Sequence, residues 1–393
     1  GKTSITTDAE YDNNKNYTAK VQAYFDDNTT APETEEDKIF GKRGLSPEAS
    51  SNSVKPNQHL ELIGLEDYFT YDENEFGNAS SSVNVTTGNM ALQLTDESLY
   101  TRSDLGYDFT RTYNSRSTKT SVLGAGWTFV GNESLTEVSN GDVLYEDEDG
   151  TVHTFKKEGN AFTSPKGLYE NLKKENDIYI MTDKNDFVQT FKLSPTVGTY
   201  VIASYTDAYK NQIDFKRNDK GQVTEVSETK GTSNQQNILI SYTNDKISKV
   251  QYGDHWTTYQ YTNDQLTQTT IGSEKSDKTI TETFAYDTDG QLAEYKDGKE
   301  NETTFEYNEN KLVVFDKKAE DEELSVTNTY QFNQKEDDGS SYKYKYTITD
   351  SSDNVFKYNR DEDMDTFLVS REVAPGDDDQ NTQTLYKYDA QSN

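Results

Sequence analysis

Three histidines, His59, His153 and His255, are the residues of this chain best suited to proton transfer or metal binding near neutral pH. None stands in a His-x3-His spacing or on a nucleophile elbow, so neither a zinc helix nor a hydrolase triad is indicated. His153, in the run GTVHTF, reads as an ordinary strand residue. Carboxylates are abundant. With 71 Asp and Glu, acid pairs at the roughly 5–10 Å separation used in glycoside hydrolysis arise by chance and single out no pair. Asp361, Asp363 and Asp365 match the opening ligand positions of a calcium loop, but Thr366 stands where its tight turn calls for glycine. Asp377–Asp379 reads as a solvated loop. The chain has no cysteine, which removes thiol catalysis, disulfides and thiolate-bound metals. No catalytic residue, cofactor-binding residue or metal ligand is therefore assigned, and the chain reads as non-enzymatic with no cofactor.

The remaining recognition chemistry is aromatic, in 28 Tyr, 17 Phe and 2 Trp. Such rings stack on sugars, and a surface module binding glycan or cell-wall polymer is the alternative reading, with Trp127 and Trp256 its foremost residues. Rings recurring every second residue instead lie on one face of a strand and build the shared core of stacked hairpins. That is the reading the spacing favours.

The stretch 284–315 shows the unit. Phe284 and Tyr286 share a face, Asp289-Gly290 predicts a two-residue reversal with positive φ, and Leu292 begins the return. Phe305 and Tyr307 repeat the face, Asn308 to Lys311 turn the chain, and Leu312 and Val314 lead back. One hairpin is marginal in water, so repeated copies must stack to bury a common face. The aromatic before each turn recurs at Phe215, Tyr242, Tyr261, Tyr286 and Tyr307, in steps of 27, 19, 25 and 21 residues. Weaker copies centre on Phe332, Tyr358 and Tyr388-Asp389, and Tyr342, Tyr344, Tyr346 and Ile348 alternate along an amphipathic strand.

Upstream, VNVTTGNMALQL reads as strand, turn, strand, and Tyr107, Phe109, Arg111 and Tyr113 alternate. Gly124 and Gly126 flank Ala125 before Trp127, where glycine permits close backbone approach. Val143 and Tyr145 lead into a turn at Asp147–Gly150, and Val152 and Thr154 lead away. The first 59 residues read as an acidic, partly ordered leader, with one edge strand over Tyr17–Phe25 and a helical turn over Lys38–Leu45. No run reads as a ten-residue helix, and the class is all-β.

A formal net charge of −32, spread along all 393 residues, repels phosphate backbones and anionic lipid, so no nucleic-acid partner is expected. No apolar run approaches the ~18 residues of a membrane span, and no membrane insertion is expected.

These residues resemble the RHS, or YD-repeat, family. Tyr286-Asp287, followed by Gly290 and Leu292, is similar to the family unit; Tyr242, Tyr261 and Tyr307 with Leu312 are degenerate copies. Gly88-Asn89, then Arg111, Tyr113, Asn114 and Ser115, then Gly124, Gly126 and Trp127, resemble in order the module that opens RHS shells. GLEDYFTY, 64–71, is similar to what precedes that module in wall-associated RHS proteins of Gram-positive bacteria. The resemblance implies tandem antiparallel hairpins winding as a long curved or spiralling sheet, an incomplete shell. It implies a leader over 1–59, a shell-opening module over 60–200 and a repeat array over 201–393. It further implies a secreted or wall-associated location and a role in enclosing and presenting a C-terminal toxin for contact-dependent competition. The expected partners are the rest of the protein's own chain, namely further YD-repeats and the toxin, with cell-wall polymer as a further candidate.

Overall fold

The computed structural model describes residues 63–66, 69–100, 105–165, 167–228, 236–309, 311–318, 325–334 and 344–360, together with six short strands nearer the two ends. Two compact units result, Gly1–Glu61 and Leu62–Asn393. In the first, Lys20–Val21 pairs with Ala49–Ser50 and Tyr24–Phe25 pairs with Gly44–Leu45. The rest of the edge strand expected over Tyr17–Phe25 lies outside the described residues. So does most of the helical turn expected over Lys38–Leu45, whose last two residues are extended. The weak copy at Tyr388-Asp389 and the acidic runs at Asp361–Asp365 and Asp377–Asp379 also lie outside them.

The second unit is all-β, with no helix among the described residues. A five-stranded sheet runs in the spatial order Trp127–Phe129, Tyr107–Asn114, Met90–Leu99, Ala79–Asn84, Tyr71–Phe76. A 23-stranded sheet then carries the chain from Ser134–Glu137 to Thr382–Leu385, each strand beside its sequence neighbour. It is closed locally at its start: Ser134–Glu137 pairs with Val143–Glu146 and also, through Ser134 and Leu135, with Val201 and Tyr200. The strand Tyr200–Thr206, which spans the expected passage from module to array, is shared between that closure and the next hairpin.

Period-two alternation accounts for the strands. Tyr179 and Met181 are buried between half-buried neighbours, and in Glu302–Asn308 the inward residues are Thr303 and Phe305. Aromatics fill the seam between the sheets: Phe76 of the five-stranded sheet lies 5.7 Å from Tyr295, 6.3 Å from Phe305 and 5.7 Å from Phe315. A chain of mean hydropathy −1.01 thus builds its core from aliphatic and Phe side chains together with Tyr rings whose hydroxyls reach hydrogen-bond partners.

The turns come in two kinds. Asn244-Asp245 and Asn263-Asp264 each hold two consecutive positive φ angles, the two-residue reversal that matches strand twist. At Asp289-Gly290 the structure corrects the expectation. The loop runs from Asp287 to Gln291, and within it only Gly290 has positive φ, at 86°. The cause is the Asp287 carboxylate, which accepts the Asp289 and Gln291 amides at 2.9 and 2.8 Å and favours a longer turn. Asp183, Asp207, Asn218, Asp297 and Asp350 accept the amides two and four residues on in the same way. The aspartate of the tyrosine-aspartate unit is thus its turn former.

Register slips at the same place in five hairpins, beside Arg217, Tyr242, Tyr261, Tyr286 and Tyr307. Each time the extra residue is on the returning strand: Thr224, Ser248, Thr267, Ala293 and Val313. These are β-bulges.

Candidate functional site

The bulges position the joint between the two sheets. Beside four of the five, a tyrosine hydroxyl reaches back to the preceding hairpin. Tyr242 donates to the Val223 carbonyl at 2.7 Å, Tyr261 to Ile247 at 2.8 Å, Tyr286 to Leu266 at 2.9 Å and Tyr307 to Leu292 at 2.8 Å. Every acceptor is the buried apolar residue that follows its own turn. The four tyrosines are half-buried, with rings along the seam and hydroxyls turned inward. Burial lifts the Tyr286 hydroxyl to about 12, so it remains a donor across the physiological range.

The amides of Ile247, Leu292 and Leu312, the apolar residues that follow three of the turns, reach the five-stranded module and its loops. Ile247 donates to the Val122 carbonyl at 2.9 Å, Leu292 to the Tyr113 hydroxyl at 2.9 Å and Leu312 to the Gly88 carbonyl at 3.1 Å. At the Tyr261 hairpin the direction reverses, and the Ala125 amide donates to the Asp264 carbonyl at 2.9 Å. The glycines are where these approaches are tightest. A Cβ on Gly124 would stand 2.7 Å from the Asp264 carbonyl oxygen, and one on Gly126 would stand 2.5 Å from the Tyr113 ring. Trp127 completes the joint, donating to the Tyr286 hydroxyl at 3.0 Å and meeting Phe284 edge-on at 5.5 Å.

Arg111 lies at the centre, with 0 % of its side chain exposed. Its Nε bonds Asp96 at 2.8 Å and one terminal nitrogen reaches Glu282 of the array at 3.3 Å. Its guanidinium lies over the Trp127 and Phe284 rings, each at 5.2 Å. Burial opposes the charge, but Asp96 and Glu282 outweigh it and hold the guanidinium above its ordinary value. Burial raises the Asp96 carboxyl despite Arg111. Tyr259 donates to Asp96 at 2.6 Å and Tyr295 to Glu282 at 3.0 Å, so both sheets supply the ion cluster.

A second polar cluster ties the module to the residues before it. Asn89 donates to Asn114, whose amide donates to the Asp149 carbonyl and whose oxygen accepts the Gly64 amide. Ser115 Oγ accepts the Met90 amide at 2.9 Å. Alongside, His153 Nε2 lies 2.8 Å from Glu66 and 2.9 Å from Asp147. Among the described residues this trio could hold a metal ion, its ligand atoms lying within 4.8 Å of one another. Burial, then Asp149 and Glu66, push the Asp147 carboxyl well above the usual range. Glu66 is held low by His153 against its own burial.

The structure places Arg111, Tyr113, Gly124, Gly126 and Trp127 with the repeat tyrosines at one joint, and Asn89, Asn114, Ser115 and His153 in the second cluster, with roles the spacing did not reveal; His255 and Trp256 lie on a hairpin away from both, and His59 lies outside the described residues. His153 is a strand residue, yet one enclosed by carboxylates. Asp96, Glu66 and Glu282 were passed over because their partners lie 15, 87 and 171 residues away, and no local pattern links them. The alternation at Arg111 was the available signal, since a charged residue on an inward strand face demands a counter-ion. Trp127, at 2 % exposure, is core; Trp256 is half-buried and packs over Gly272.

Tandem hairpins carrying an inward tyrosine before each turn, sealed onto a glycine-rich five-stranded module, are the arrangement that the resemblance to RHS, YD-repeat proteins implies. Residues 80–155 match the domain of unknown function DUF6531. The tRNA3(Ser)-specific nuclease WapA of Bacillus spizizenii is 27% identical over 215 residues, 54% of this chain and 8% of that protein. The tRNA nuclease WapA of Bacillus subtilis is 26% identical over the same length and shares. The chain therefore matches less than a tenth of the length of these relatives. Among solved structures, TcdB2-TccC3-TEV is 13% identical with a TM-score of 0.26, covering 80% of this chain and 15% of that one. TcdB2-TccC3 without its hypervariable C-terminal region is 14% identical with a TM-score of 0.24, covering 80% and 15%. The fold rests on the strand pairing itself, to which likenesses this low add nothing.

Proposed function

We propose that this chain is a non-catalytic wall segment of a secreted or wall-associated RHS protein, enclosing and presenting a C-terminal toxin for contact-dependent competition between bacteria. The observation that carries this is the tyrosine ladder. Four successive hairpins are each fastened to the carbonyl of the one before, a rule that adds hairpins one at a time and sets no limit of its own. Such a sheet lengthens into a wall as further YD-repeats join it. The module, which binds successive turns through Val122, Tyr113 and Gly88, acts as the seat on which the wall begins. The relatives named as tRNA nucleases support the reading, because the matched segment is a small part of a much longer chain. A glycan platform has less behind it, since most hairpin rings are committed to the seam.

The test compares growth inhibition of competitor cells by the intact protein and by a version ending at residue 393. Inhibition by the intact protein alone is expected; equal inhibition by both would defeat the delivery reading.

A further inference from the structure

We propose that Glu66, Asp147 and His153 form a binding site for one divalent transition-metal ion of the zinc or manganese class. Two carboxylates converge on a single ring nitrogen: Glu66 Oε1 stands 2.8 Å and Asp147 Oδ2 2.9 Å from His153 Nε2. A ring nitrogen carries at most one proton, so it can serve one of these acceptors well and the other only by sharing. A metal ion placed among the three atoms would meet all of them with lone pairs.

The charge balance points the same way. His153 is 4 % exposed, Asp147 10 % and Glu66 11 % by side chain, and the Asp149 carboxylate adjoins them, donated to by Leu65 and Thr151. Three carboxyl groups thus crowd one imidazole, and carboxylates buried without a counter-charge are costly; a dication would let them stand ionised together.

The three ligands are also held for the task. The other oxygen of Asp147 is occupied by the amides of Asp149, Gly150 and Thr151, which leaves Oδ2 aimed at the histidine. The Tyr145 ring stacks on His153 at 5.9 Å and 24° and fixes the imidazole plane. Glu66 is set in place by the Tyr71 hydroxyl, which accepts its amide at 2.6 Å. One imidazole nitrogen with carboxylate oxygens suits zinc or manganese, whereas calcium prefers oxygen alone. The ion would fasten the segment before the module to the turn at Asp147, a role independent of any enclosed toxin.

The test uses the full 393-residue chain after chelator treatment, titrated calorimetrically with zinc chloride, manganese chloride or calcium chloride alone, with bound metal counted by elemental analysis. One zinc or manganese ion per chain is expected, together with a higher melting temperature. His153→Gln should abolish binding, and Glu66→Gln should weaken it at least about tenfold. Circular dichroism checks that each variant retains its strand signal. Should His153→Gln fail to fold, Glu66→Gln at the edge of the cluster decides alone. Absence of binding by both zinc and manganese, binding of calcium only, or binding unchanged in the folded variants would each overturn the site.

Discussion

The opening module and the hairpin array meet along one seam but are held by different means. The module depends on single long-range contacts: one arginine between two acids, one asparagine pair, one tryptophan on one tyrosine. The array depends on a small contact repeated, a tyrosine hydroxyl on a carbonyl and a turn closed by an aspartate or asparagine. A defect in the module therefore has no second copy to absorb it, whereas a defect in one hairpin stays with that hairpin and its neighbours.

The largest expected effect is at Arg111. Arg111→Met leaves Asp96 and Glu282 buried without a counter-charge and should lower unfolding stability by about 3–5 kcal/mol. Adding Asp96→Asn and Glu282→Gln should recover part of the loss in urea denaturation. If Arg111→Met alone is neutral, the ion cluster does not distinguish the module from the array.

The next pair sets two rungs of the ladder against each other. Tyr286→Phe loses the bond to Leu266 and orphans the Trp127 indole donor, for about 2 kcal/mol. Tyr307→Phe loses only its bond to Leu292, for about 1 kcal/mol. Equal losses would mean that the module adds nothing at that rung. Gly290→Ala forces a side chain into φ 86°, at about 1 kcal/mol, with local loss of hydrogen-exchange protection in the 284–296 hairpin. Protection lost across the whole array would contradict the local character claimed for it.

A further effect is a pH dependence. Burial, and then Asp96, lift the Glu97 carboxyl to about 7. Its folded value exceeds the unfolded one, so stability present below about 4.5 is lost as pH rises through about 7. Glu97→Gln mimics the protonated form: it should match the parent protein near pH 5 and exceed it in melting temperature near pH 8. A constant difference across that range would remove Glu97 as the cause.

Much of the array is legible in the sequence, because a strand face and a turn are local properties. Phe284, Tyr286 and Leu292 announce a hairpin within nine residues. The turn at Asp287 was misjudged by two residues, since an Asp-Gly pair suits either a two-residue loop or the end of a longer one, and the side chain of Asp287 decides. The module is less legible. Arg111 and His153 sit on well-marked strands, but their partners come from distant segments, and only folding brings Glu282 to the one and Glu66 to the other.

The extra residues at Thr224, Ser248, Thr267, Ala293 and Val313 all fall on the returning strand. Each makes one leg of its hairpin a residue longer than the other, like a stair tread cut as a wedge, and all five wedges taper the same way. Bending then accumulates instead of cancelling. Five wedges set the same way give those hairpins one sense of bend, a property written into the turn-proximal residues of each copy and needing no contact outside it.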